Sequence, residues 1–187
     1  NHTIAVSENN RNFLSETYDI RGSKLTRIYN GVDLEVFYKG TVSRNQVLGF
    51  SEDDFVVTCA SELHPRKGVK YLIEAFSEIK SKDKTIKLAL AGTGEKLGEY
   101  QKLVKKLDLE DTIKFLGFRN DMPDILRASD LFCQPSLREA FGLAALEAMA
   151  TEVPVVATKV GGLKEVLTED TAKLVDSKDS KGLAQAI

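Results

Sequence analysis

Two glutamates frame the helix-forming run in REAFGLAALEAMA: Glu139 stands just before it, and Glu147 lies inside it after seven intervening residues. On a helix starting near Phe141, the neighbours of Glu147 at three and four residues are Leu143, Ala144, Ala150 and Thr151. That places it on the apolar side, where an unpaired carboxylate is costly. Its partner is either a basic side chain or backbone N–H from an adjoining loop, or a pair of vicinal hydroxyls such as those of a ribose. Gly142 opens the same helix. Free N–H groups and the positive dipole end attract an anion there, and the absence of a side chain lets it approach, so phosphate is the natural guest. Glu139 either complements that dipole or meets the same ligand.

These residues need a scaffold. Short apolar runs recur as VVTCAS, IKLALAG, TIKFLGF, DLFCQPS, VPVVAT and KLVD, with helical spacing between most of them. In GVKYLIEAFSEIK, Val69, Leu72, Ile73 and Phe76 fall on one face. Strands apolar on both sides, alternating with helices, predict a doubly wound α/β domain with a parallel six-stranded Rossmann-like sheet. Ligands of such sheets bind beyond the strand C-termini, where strand order reverses. If the order is 3-2-1-4-5-6, the loops ELHPRKG and LREAFGL flank one crevice, and Lys67 faces Glu139.

Residues 1–30 differ from the rest. They hold a strand-like TIAVS, a polar helix candidate from Glu8 to Tyr18 and a strand-like LTRIYN, too little for a core of their own. We read residues 1–37 as the tail of an earlier domain plus a hinge, and 38–187 as the main domain, cut at its C-terminus. The preface is expected to pack poorly on that domain.

Composition restricts the partners. The chain has 187 residues, and 26 basic against 28 acidic side chains leave a formal charge of -2. Bulk electrostatics therefore call for neither nucleic acid nor an anionic membrane. No apolar run approaches the roughly 20 residues of a membrane span, so a cytoplasmic protein is expected. Cys59 and Cys133 lie in apolar runs without metal-type spacing and read as reduced core residues.

The motifs together resemble a family. EAFGLAALEAMA followed by VPVVATKVGGLKEVL is similar to the E-x7-E region of GT-B-fold retaining glycosyltransferases, specifically glycosyltransferase family 4 and its glycogen-synthase relatives. RIYNGVDLEVF resembles the hinge into the second domain, LHPRKGVKYLIEAF the phosphate-binding loop, and LALAGTGE the nucleotide-side loop. The resemblance implies that Glu147 binds the nucleotide ribose and that Glu139, the candidate catalytic residue, lies beside the donor sugar. Gly142 and Leu143 would offer backbone N–H groups to the sugar or its phosphate, and Lys67 would pair with the diphosphate. Gly92 and Gly94 would let their loop approach the donor, and Phe118, Arg119 and Asn120 would line the base pocket. Many members carry an arginine five residues before the loop lysine, where this chain has Glu62. Either Arg66 substitutes for it or phosphate binding is weakened.

The implied reaction is sugar transfer from a nucleoside-diphosphate donor with anomeric retention. No Asp-x-Asp sequence suggests a divalent metal, and no cofactor is expected beyond the nucleotide-sugar substrate. The acceptor, whether saccharide, lipid or small molecule, would be met by the absent N-terminal domain, which leaves peripheral membrane contact of the parent open and makes this fragment inactive alone. Other readings are a GT-B-fold UDP-sugar 2-epimerase fragment, a nucleotide-binding module without catalysis, and a dinucleotide-dependent oxidoreductase. The last rests on GTGEKLG, whose glycine spacing is one residue too long and which follows the second strand of the domain.

Overall fold

The computed structural model describes residues 2–187. Each apolar run named above becomes a strand: β3 (Phe55–Ala60), β4 (Ile86–Ala91), β5 (Ile113–Gly117), β6 (Leu131–Gln134), β7 (Val155–Thr158) and β8 (Lys173–Val175). They form one parallel sheet in the order β5-β4-β3-β6-β7-β8. Counted within the domain this is 3-2-1-4-5-6, so the reversal of strand order falls between β3 and β6, as expected.

Helices cover both faces. On one side, α3 (Val69–Lys82) buries Val69, Leu72, Ile73 and Phe76, the stripe its spacing predicts, together with α4 (Leu97–Lys106) and α8 (Ser180–Ala186). On the other, α6 (Leu143–Ala150) and α7 (Leu163–Val166) pack through Ala145, Ala148 and Leu163 on β6 and β7. The short α2 (Arg44–Leu48) and α5 (Met122–Arg127) close the face over β3 and β4 with Leu48 and Ile125. Cys59 and Cys133 are buried free thiols, and burial pushes the Cys59 thiol up to about 12.

The preface folds as β1 (Thr3–Ala5), α1 (Glu8–Tyr18) and β2 (Leu25–Arg27), with β1 and β2 paired in parallel. α1 buries no residue, and Phe13 and Tyr18 are exposed on it. The start of α1 is nonetheless tied to the main domain at several points. Ser7 is fully buried, accepts the Asn10 N–H as the helix cap and donates to the Ala140 carbonyl at 2.6 Å. The Glu8 and Asn9 N–H groups donate to the Glu165 carboxylate on α7, which also accepts from the Tyr29 hydroxyl. The Tyr29 ring packs on Phe141, centroids 5.7 Å apart. The grip lies against the loop that carries Glu139. Among the described residues no helix is long and apolar enough to cross a membrane.

Candidate functional site

Two loops at the point of strand reversal are pressed together through their backbones. The loop after β3 ends in a 3-10 turn, Pro65–Lys67, that His64 caps by accepting the Arg66 N–H. The next residue, Gly68, has φ +66°, and a Cβ there would lie 1.9 Å from the Pro135 carbonyl oxygen. From the loop after β6, the Leu137 and Arg138 N–H groups donate to the Arg66 carbonyl at 2.7 and 3.2 Å. Seams of this closeness leave the intervening side chains little freedom.

They bring Lys67 onto Glu139. Lys67 Nζ lies 2.7 Å from Glu139 Oε2, with the side chains only 18% and 12% exposed. Two residues that the sequence reading did not single out hold the same oxygen: Gln134 Nε2 donates to it at 2.9 Å and Ser136 Oγ at 3.1 Å. Among the described residues nothing donates to Oε1. Gln134 ends β6 as a polar residue in a wholly buried strand, and a buried amide requires a partner, a signal visible in LFCQPS.

The helix expected near Phe141 begins two residues later, at Leu143, with Gly142 as its N-cap at φ +105°. A Cβ on Gly142 would lie 2.4 Å from the Leu163 Cδ2 methyl, and the φ of +105° itself favours glycine, independent of any ligand. Neither the Gly142 nor the Leu143 N–H has a partner among the described residues, as befits the open end of a helix. Leu143 itself is partly exposed.

Glu147 is partly buried on α6 and forms no ion pair or hydrogen bond among the described residues through its carboxylate. Burial raises its pKa above the ordinary glutamate value. The carboxyl therefore binds its proton more tightly in the folded than in the unfolded chain, and stability falls as pH rises from roughly 4.3 through the raised folded pKa. Glu147→Gln removes that loss. The ligand-free variant is expected to melt no lower than the parent at pH 7, with the difference between them vanishing toward pH 4 in a thermal titration.

Arg66 does not join Lys67. Its guanidinium pairs with Glu62 at 2.7 Å, both side chains about half exposed. Glu62, five residues before the loop lysine, thus occupies the guanidinium that could have joined it. Arg66, His64 and Arg138 line a cavity of about 530 Å³, together with Glu139 and, from α1, Asn9 and Asn10.

A second cleft, of about 340 Å³, opens beyond β3, β4 and β5 and is lined by Ser61, Glu62, Gly92, Thr93, Phe118 and Arg119. Phe118 is 74% exposed at its rim. Arg119 is held by both oxygens of Asp121 and donates to the Val47 carbonyl at 3.3 Å; the Asp121 hydrogen bonds raise its pKa further. Asn120 is exposed beside it. A Cβ on Gly92, at φ +133°, would lie 1.9 Å from the Ser61 carbonyl oxygen, and one on Gly94 2.6 Å from that of Leu63. Both glycines thereby let the loop after β4 rest on the loop after β3. No group of three or more His, Cys, Asp or Glu side chains among the described residues is arranged to hold a metal ion.

The family model for glycosyl transferases group 1 matches residues 43–187. N-acetyl-alpha-D-glucosaminyl L-malate synthase from Bacillus anthracis is 33% identical over 97% of the chain and 49% of its own length. A D-inositol 3-phosphate glycosyltransferase from Corynebacterium glutamicum is 30% identical over 93% of the chain and 45% of its own length. The chain thus spans about half the length of these curated relatives. Anabaena HepE in complex with UDP-glucose superposes with a TM-score of 0.89 at 32% identity, covering 98% of this chain and 52% of that one. The C-terminal domain of LpcC, a group 1 family protein from Francisella tularensis, superposes at 0.74 with 30% identity, covering 83% and 85%.

Proposed function

Because the chain belongs to the glycosyl transferases group 1 family, we propose that its crevice is the donor half of a transferase that moves a sugar from a nucleoside diphosphate to an acceptor, with retention at the anomeric carbon. One observation carries this reading. The loop cation Lys67, the anchored carboxylate Glu139 and the unpartnered N–H groups of Gly142 and Leu143 converge at the strand reversal.

Each residue then has a task. Lys67 and the start of α6 meet the diphosphate and the charge that develops on it as the sugar leaves, a stabilisation that needs no metal ion. Glu139 keeps one carboxylate oxygen for a sugar hydroxyl. Glu147, without a partner among the described residues, accepts the two ribose hydroxyls, and the base enters the cleft beside Phe118, Arg119 and Asn120. Gly92 and Gly94 shape the wall of that cleft. Arg66 stays with Glu62, so the diphosphate meets one loop cation. The acceptor binds to residues outside this chain, which alone binds donor without turnover. The Anabaena relative crystallised with UDP-glucose supports a nucleotide-sugar donor.

Separating the two glutamates tests this reading. Glu147→Gln is expected to weaken every ribonucleotide by about 1–2 kcal/mol, sugar attached or not. Glu139→Gln should spare the bare diphosphate and weaken the nucleotide sugar. Calorimetry with UDP, GDP and ADP and their glucose or mannose conjugates, in the presence of a chelator, measures both. Normal binding by Glu147→Gln would remove the ribose assignment, and binding abolished by the chelator would remove the metal-free one.

A further inference from the structure

Glu139 and Lys67 are each other's partners when the crevice is empty, yet the reading above asks them to serve different parts of one ligand. Once a diphosphate draws Lys67 away, an ion pair is lost from a carboxylate whose side chain is only 12% exposed. Something else must then keep that carboxylate charged and in place.

We propose that Gln134 is a positioning residue that holds Glu139 for the donor sugar while Lys67 serves the diphosphate. This rests on the nucleotide-sugar reading of the crevice. Gln134 is 6% exposed, and its Nε2 donates to Glu139 Oε2, the oxygen that also takes Lys67 and Ser136. Two neutral donors therefore remain on that oxygen when the cation leaves, and Oε1 stays free. The backbone beneath them is fixed as well: Thr158 Oγ1 donates to the Ser136 carbonyl at 2.5 Å and reaches the Gln134 carbonyl at 3.4 Å.

The other end of the amide shows what this placement costs. Gln134 Oε1 is buried and, among the described residues, has no hydrogen-bond partner. It sits beside the start of α6, 4.0 Å from where a Gly142 Cβ would stand. An orphaned buried acceptor destabilises a fold, and an apolar side chain of the same size at the end of β6 would avoid it. The amide that leaves its oxygen stranded is the one whose N–H₂ reaches Glu139. Sites that sacrifice stability for placement are where function resides.

Gln134→Met keeps length and volume while removing both the donor and the orphan. It is expected to melt at or above the parent, to bind the bare nucleoside diphosphate within about twofold, and to bind the matching nucleotide sugar about tenfold more weakly, the loss of one hydrogen bond to a charged group. Gln134→Glu, equal in size, puts a second carboxylate against Glu139 and should lose more of the sugar-dependent affinity. Thermal melts and calorimetry of this chain measure all three quantities, using whichever of the UDP, GDP and ADP sugars stabilises the parent most. A lower melting point with equal losses for diphosphate and nucleotide sugar would make Gln134 a packing residue and overturn the inference. So would unchanged affinity for the nucleotide sugar in both variants. If no nucleotide or nucleotide sugar binds the parent chain, the crevice reading fails first and the inference falls with it.

Discussion

Gly68→Ala is expected to destabilise the chain by about 3 kcal/mol. Its φ of +66° alone disfavours alanine, and the added carbon would lie 1.9 Å from the Pro135 carbonyl oxygen, a backbone atom that cannot rotate aside. The two loops must part to admit it. For a domain of this size the melting temperature should drop by roughly 6–12 °C. Parting the loops also separates Lys67 from Glu139, so diphosphate affinity should fall together with stability. A melting point within about 2 °C of the parent would show that the seam yields freely and does not set the crevice.

Lys67→Ala should act on binding far more than on folding. Removing the loop cation is expected to cost about 1.5–3 kcal/mol of nucleoside-diphosphate affinity, the range of a charge-assisted hydrogen bond to phosphate. Glu139 retains Gln134 and Ser136, so the empty site should not collapse. Unchanged affinity for the diphosphate in calorimetry would place the phosphates elsewhere. Lys67→Arg keeps the charge but should recover only part of the affinity, because a planar guanidinium does not replace a compact ammonium in a pocket closed on Glu139.

How far the residues alone reach is clear from particular positions. The six main strands were legible because each is an apolar run flanked by turn residues, and α3 because its stripe of Val69, Leu72, Ile73 and Phe76 has one period. The meeting of Lys67 and Glu139 followed from strand order, since two loops on either side of a reversal have to face each other. Long-range partners were not legible. Nothing local to Ser7 points to Ala140, 133 residues away, and nothing local to Gly142 announces Leu163. Glu62 stands out in the sequence as a departure from the family pattern, but its pairing with Arg66 at four residues' distance depends on the turn that Pro65 and His64 build. The family resemblance implies that Gly92 and Gly94 let their loop approach the donor; the approach on view is to Ser61 and Leu63.

The pressing of Gly161 and Gly162 against the loop that carries Glu139 has a consequence for the order in which a ribosome delivers this chain. Cβ atoms on these glycines would lie 2.1 Å from the Glu139 carbonyl oxygen and 2.2 Å from that of Ala140, and the Gly162 N–H donates to the Glu139 carbonyl. Lys67 is synthesised 72 residues before the carboxylate that receives it, and the support for that carboxylate is synthesised later still. Chains grow from the N-terminus at about 5–20 residues per second, so β3 and its loop emerge seconds before their counterpart can be seated. During that interval the nascent half-sheet exposes the edge of β3 where β6 will pair, and the Lys67 ammonium has only solvent for company. The crevice is thus among the last parts of the domain to come into being, and a translational pause before residue 162 would prolong the state in which that edge is open to wrong partners.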